Sequence, residues 1–157
     1  MIKQKLVPEK QGILSRDKYE PGYLISTDQF VVGTPSRLMS GYGHEAKTSR
    51  SNGGTIYNDA GSGVTWIENQ VSLGADGTLL GKQKLEDWLW EQASVEVKHC
   101  HSDNGGFTAG MFKNDYKKKG QGQSYAGVGA HHQNARAERA IQTVSWCMQA
   151  CIGLSMG

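Results

Sequence analysis

Apolar positions along this chain switch repeatedly between a two-residue and a helical period. Residues 23–32, YLISTDQFVV, are β-branched and aromatic with no breaker inside, which predicts a strand. Residues 55–58 (TIYN) and 64–71 (VTWIENQV) predict two more strands, joined through DAGSG as an antiparallel hairpin. Residues 78–93 predict a helix, with Leu79, Leu85, Leu89 and Gln92 on one side and Lys82, Lys84, Glu86 and Glu91 on the other. Asp76 or Thr78 is placed to cap it. Trp88 and Trp90 fall about 200° apart on such a helix, so at least one is expected to be half exposed or to meet a partner element. In VEVK (95–98) apolar and charged residues alternate, a strand pattern that Asn104-Gly105-Gly106 then ends.

Residues 110–119 predict a second helix with Met111, Phe112 and Tyr116 inward. Its closing Lys117-Lys118-Lys119-Gly120 is an ordinary helix stop. Residues 124–130 (SYAGVGA) read as a short glycine-rich strand. Residues 134–154 give the longest helix, with Ala137, Ile141, Val144, Met148 and Cys151 along its core face. Cys147 and Cys151 share that side and are expected as small buried residues. Residues 33–54 have no period and are rich in Gly, Ser and Lys/Arg, which predicts a loop insertion. Residues 1–22, with Pro8 and Pro21, read as a leader or linker. The order strand, hairpin, helix, strand, helix, strand, helix predicts one α/β domain over residues 23–154, a mixed sheet covered by helices.

Bulk properties narrow this picture in a few respects. At 157 residues a single domain with a real core is expected. The net charge is only +2, so nucleic-acid binding has to rest on local patches rather than a global field. Three cysteines without a CxxC pair fit reduced thiols in an intracellular protein. No apolar run is long enough to span a membrane, and the first twelve residues lack the apolar core of a secretory signal. A GxxxxGK[ST] phosphate loop is absent, which leaves nucleotide hydrolysis unsupported.

Three acids stand out by context: Asp28 inside an apolar strand, Asp103 at a strand end, and Glu138 in the first turns of the last helix. A lone carboxylate in an apolar strand is costly unless it is paired, metal-bound or at an edge. Neighbouring strands can bring Asp28 and Asp103 together, and a helix across the sheet can add Glu138. Clustered carboxylates repel one another and need cations, and oxygen-only ligands select Mg2+ or Mn2+. Two such ions ~3.5–4 Å apart can promote phosphoryl transfer. Asp59, Asp76, Asp87 and Asp115 lack this context and are expected in loops or on exposed helix faces. His99 and His101 flank Cys100 without a second pair at finger spacing, which favours a structural role over zinc binding.

HSDNGG (101–106) and AGVGAHHQNARAERAIQ (126–142) resemble the catalytic core of retrovirus-type integrases, the copia-type retrotransposon branch above all. The resemblance spans roughly residues 20–152. It implies a ribonuclease-H-like fold and DNA integration, meaning 3′-end processing and strand transfer at phosphodiesters by a two-metal Asp-Asp-Glu site. Carried over, Asp28, Asp103 and Glu138 are the metal-binding acids. His131, His132, Gln133 and Asn134 match the loop beside the DNA, where polar side chains suit phosphate and sugar contacts. Arg136 and Arg139 flank Glu138 and are candidates for the DNA backbone. Element ends and target DNA are the implied partners, with self-association into a homo-oligomer, no small-molecule cofactor, and nuclear action.

The chain departs from the family pattern at identifiable places. The spacing from Asp103 to Glu138 is one residue short, with Phe107 directly after Gly106, and Ala135 stands where Gly is usual. No zinc-binding segment precedes the core, and no further DNA-binding region follows it. The alternative expectation is therefore a truncated or decayed core that keeps only nucleic-acid binding or self-association.

Overall fold

The structure, a computed structural model, describes residues 19–36, 51–103, 105–127 and 134–155. Five strands form one mixed sheet in the order β3-β2-β1-β4-β5. They are β1 (Ile25–Ser36), β2 (Ser51–Asp59), β3 (Thr65–Gln70), β4 (His99–Ser102) and β5 (Gly122–Tyr125). The helices are α1 (Ala75–Ala93), α2 (Gly110–Lys119) and α3 (Ala135–Ser155), with one 3-10 turn at Gly106–Thr108. The first three strands form an antiparallel meander, while β4 and β5 join parallel to β1. This is the expected element order and the mixed sheet that order predicted.

Strand alternation divides the side chains between two cores. Ile25, Tyr57 and Cys100 project to one face and pack with Leu85 and Leu89 of α1, Phe107, and Phe112 and Tyr116 of α2. Ile56 projects to the other face, where Ala137 and Ala140 of α3 close on it, flanked by Ile67, Ile141 and Val144. Two small alanines let the α3 backbone approach the sheet. The meander needs similar closeness: a Cβ on Gly53 would lie 2.1 Å from the Phe30 carbonyl oxygen, and one on Gly54 2.3 Å from that of Glu68.

Several boundaries and environments differ from expectation. β1 runs to Ser36 and β2 begins at Ser51, so strand occupies both ends of the expected 33–54 insertion. Residues 37–50 of that insertion, and residues 1–18 of the expected leader, lie outside the described residues. Residues 95–98 are not a strand. Val97 is buried between exposed Glu96 and Lys98 as predicted, but the Lys98 backbone bonds to Gly22 (2.9 Å) and Gly122 (2.8 Å) in a connecting stretch. The ladder starts only at His99, and β5 precedes most of the predicted 124–130 strand.

α1 starts at Ala75 after Gly74, which has no side chain to cap it; the expected caps Asp76 and Thr78 lie inside the helix, where the Thr78 hydroxyl donates to the Gly74 carbonyl (3.0 Å). Trp90 is exposed, and Trp88 packs against Trp66 with ring centres 5.7 Å apart and planes tilted by 44°.

Five residues expected at the surface or in the core are exchanged. Lys82 is buried, because its amine meets Glu86 (2.6 Å), Asp115 (2.7 Å) and Gln121 (2.8 Å). Asp115 is correspondingly a network member rather than a free helix-surface acid. Asp59 is buried, accepting N–H bonds from Gly22 (3.0 Å) and Ser62 (2.8 Å), which ties the meander turn to the segment before β1. Cys147 is exposed, as is Met111, since α3 and α2 turn those positions away from the sheet. The side chains of Met148 and Cys151 lie outside the described set.

Candidate active site

Two of the three singled-out acids come from the centre of the sheet. In the β1–β4 pair Ile25 stands opposite Cys100 and Ser26 opposite His101. Continued two steps, that register would bring Asp28 of β1 level with Asp103, the residue just after β4 ends. Parallel neighbours at equal steps project to the same side, with chains ~4.8 Å apart. Asp28 also stands opposite Ile56 of β2, and Ile56 packs against Ala137 and Ala140. Asp28 therefore belongs to the face that α3 covers, and the continued register would put Asp103 on it too.

Glu138 follows Ala137, which is fully buried against that face. One residue along an α-helix is a turn of about 100°, so Glu138 sits on the flank of the covering stripe and is half-buried. Asp28 and Glu138 thus lie towards one side of the sheet, and the continued register would add Asp103. They do not close into a chelate: among the described residues, no three of His, Cys, Asp and Glu stand close enough to hold a metal ion together.

Local bonds hold the two strand carboxylates. Oδ1 of Asp28 accepts the Gln29 N–H at 2.8 Å. Oδ1 of Asp103 accepts the Gly105 N–H at 3.1 Å, an Asx-type turn that ends the strand. A Cβ on Gly105 would lie 3.1 Å from both Asp103 carboxylate oxygens, so the turn wraps the acid closely. The next side chain along β1, Gln29, points to the opposite face and donates to the Thr78 hydroxyl (2.9 Å) and the Leu73 carbonyl (3.3 Å). That anchors the β1 backbone beside Asp28 to the start of α1.

Donor chemistry fits a hard divalent ion. Carboxylate oxygens from Asp28 and Asp103 lead the set, with Glu138 on the helix flank, and oxygen-only sets of this kind favour Mg2+ or Mn2+. His99 and His101 stand apart from that set. Nε2 of His99 (2.7 Å) and Nδ1 of His101 (2.9 Å) share the Ser124 hydroxyl across β4 and β5. Burial, then the neighbouring His101, lowers the His99 pKa below its usual value. Sequence reasoning missed Ser124, whose only signal is its position one strand over.

The other predicted contact residues divide. His131, His132 and Gln133 lie outside the described residues. Asn134 is buried, and its side-chain amide donates to the Thr27 carbonyl at 3.1 Å, tying the start of α3 to β1 beside Asp28. Arg136 is half-buried with its guanidinium 6.0 Å from the centre of the Tyr19 ring, a cation–π distance. Arg139 is exposed. No helix among the described residues is long and apolar enough to cross a membrane.

No protein-family model matches the chain, and no curated protein matches it either. Solved structures do. The catalytic core domain of HTLV-2 integrase, solved in complex with magnesium as a dimer, aligns with a TM-score of 0.50 at 14% identity. The alignment covers 68% of this chain and 61% of that one. The simian T-cell lymphotropic virus intasome, in complex with the PP2A regulatory subunit B56 gamma, gives 0.60 at 11% identity, over 78% of this chain and 38% of that one. The catalytic core domain of BIV integrase gives 0.50 at 19% identity, over 75% and 65%. This chain thus spans less than two thirds of each of these. At such identities the likeness is one of fold: the chain has the ribonuclease-H-like fold of retroviral integrase catalytic cores.

Proposed function

We propose that this chain is the catalytic core of a copia-type retrotransposon integrase, cutting and joining DNA phosphodiesters with Mg2+ or Mn2+. The observation that carries the reading is the parallel β1–β4 register, Ser26 opposite His101, which if continued two residues would bring Asp28 level with Asp103 on the face that α3 covers. The fold likeness supports it independently. Asp28, Asp103 and Glu138 would hold the ions. Bound divalent ions supply charge neutralisation and activation of the attacking oxygen in phosphoryl transfer. The chain's own part is positional. Gly105 turns the Asp103 carboxylate at the strand end, Gln29 fixes the β1 backbone beside Asp28, and Asn134 fixes the helix that carries Glu138. Arg139, and the 131–133 loop, would meet the DNA backbone, whose contacts with cations and polar groups carry affinity without sequence readout. Action in the nucleus and assembly into a homo-oligomer follow from the same reading.

The test uses labelled DNA ends with Mn2+ or Mg2+. Nicking or strand transfer is expected from the wild type. Asp103→Asn should lose more than ~100-fold, beyond the loss typical of removing an outer-shell partner. Activity that persists in Asp103→Asn, or needs no divalent ion, sinks the mechanism.

A second reading is a decayed core that retains the fold and binds nucleic acid or itself. It is favoured by the shortened Asp103–Glu138 spacing and by the two strand carboxylates each bonding to a local backbone N–H. Cooperative folding with DNA binding, but no metal-dependent cleavage, would decide for it.

A further inference from the structure

A groove lies before the starts of β1 and β4, away from the carboxylate face. It has a volume of about 260 Å3 and is lined by Glu20, Tyr23, Trp90, Ser94, Glu96 and Lys98, among others. Tyr23 and Trp90 are 53% and 56% exposed, unusual for large aromatics that flank one concavity. The Tyr23 ring is held in place by stacking on Tyr19, with centres 5.7 Å apart.

The electrostatics of this groove favour a cation. α1 ends here, at Ser94 in the left-handed conformation, and carries no basic residue in its last turn. No basic residue of its own last turn offsets the negative end of its dipole, and the cation in the groove lining is Lys98, on the segment that follows. α2, by contrast, ends in three lysines. Glu20 and Glu96 add two carboxylates to the lining. Lys98 pairs with Glu96 at 2.6 Å, but both side chains are mostly exposed, and pairs of that kind open readily. With two carboxylates and a negative helix end against the single Lys98 amine, the lining is net negative and disfavours phosphate.

We infer that this groove binds an arginine side chain of a partner peptide, its guanidinium against Tyr23 and Trp90 and its N–H groups on Glu20 and Glu96. Guanidinium is planar and weakly hydrated, stacks on aromatic faces and matches carboxylates two bonds at a time. The inference stands apart from the reading of the carboxylate face and survives its failure.

The test titrates the 15N-labelled chain with a blocked Gly-Arg-Gly peptide, following the indole and backbone N–H signals. A citrulline peptide, of the same shape without the charge, is the control. Saturable shifts at the Trp90 indole and at Ser94–Glu96 are expected, at least tenfold weaker with citrulline and weakened by salt. Trp90→Ala should abolish them, and Glu20→Gln should weaken them severalfold. Both residues are exposed, and the dispersion of the remaining signals reports that the fold is kept. Equal binding of the citrulline peptide overturns the inference. So do shifts centred elsewhere, unchanged binding in Trp90→Ala, or preference of the groove for a single-stranded oligonucleotide over the arginine peptide.

Discussion

Lys82 puts a full positive charge where its neighbours are Leu85, Tyr116 and Cys100, and the chain answers it with three oxygen partners. Its side chain is 2% exposed, with Glu86 at 10% and Asp115 at 9%. Its amine also lies 4.6 Å from the Tyr116 ring centre. Lys119 bonds to the second Glu86 oxygen at 2.6 Å, so the group joins α1 to the middle and the C-terminal end of α2 and to the residue before β5. Removing the central cation leaves the largely buried Glu86 and Asp115 with the partly exposed Lys119 as their one remaining ion-pair partner among the described residues. Lys82→Ala is expected to cost ~3–5 kcal/mol, read from urea unfolding midpoints. Burial alone would raise the Asp115 pKa, but the Lys82 hydrogen bond and charge, then Gln83 and Lys119, bring it below its usual 3.8. As pH falls, the unfolded chain therefore takes up this proton first. The stabilisation is complete above about 3.8 and is lost as pH drops through the lower folded value. In acid titrations followed by circular dichroism, Asp115→Asn should be less stable at neutral pH and should show a shallower loss below 3.8. The candidate catalytic residues were legible at this scale because HSDNGG and the 126–142 stretch are compact motifs. Lys82 was not legible: Glu86 is four residues away, but Asp115 and Gln121 are 33 and 39 away, so no local pattern distinguishes it from a solvated helix lysine.

Among the elements, the helices and the meander were written in their periods, and the strand carrying Asp103 was not. VEVK alternates as a strand does, and its burial does alternate, yet its backbone groups bond to Gly22 and Gly122 as a connector. The strand itself is HCHS, whose inward residues are a cysteine and a serine and whose outward ones are histidines, so hydrophobic spacing passes over it. Parallel pairing is also decided by crossover helices rather than by local sequence. β2 depends on backbone contact: the Gly54 Cβ position lies 2.3 Å from the Glu68 carbonyl and 2.8 Å from the Phe30 ring. Backbone cannot yield as a side-chain tip does. Gly54→Ala should therefore cost ~1–3 kcal/mol in chemical denaturation, the range for overpacking, and should loosen amide-exchange protection in β1 and β3 together.

At the scale of the whole molecule, the sheet order puts Asp28 and the start of α3 on one side, and the continued β1–β4 register would add Asp103, although 74 residues lie between the two aspartates in sequence. A ligand that binds only the folded chain stabilises it by mass action, about 2.7 kcal/mol at a hundredfold excess over its dissociation constant. Mn2+ is accordingly expected to raise the melting temperature of the wild type and leave that of Asp28→Asn unmoved, measured by differential scanning calorimetry. An equal rise in both would place cation binding elsewhere. The elements around this face were legible as a sequence of types. Their closeness was not, because Asn134 bonding to Thr27 and Gln29 bonding to Thr78 are long-range contacts between polar residues with no hydrophobic signature.

One consequence of β4 is kinetic. Cys100 lies three residues before Asp103, fully enclosed, and burial pushes its thiol up to about 11, despite Lys82 and Tyr116 acting the other way. Cys147 is exposed on α3. With Cys147 and Cys151 replaced by serine, an alkylating reagent at neutral pH can reach only Cys100, and only when the strand opens. Its labelling rate then becomes a clock for how often the strand next to Asp103 leaves the sheet. The clock is built into the sequence and runs whether or not DNA is ever cut.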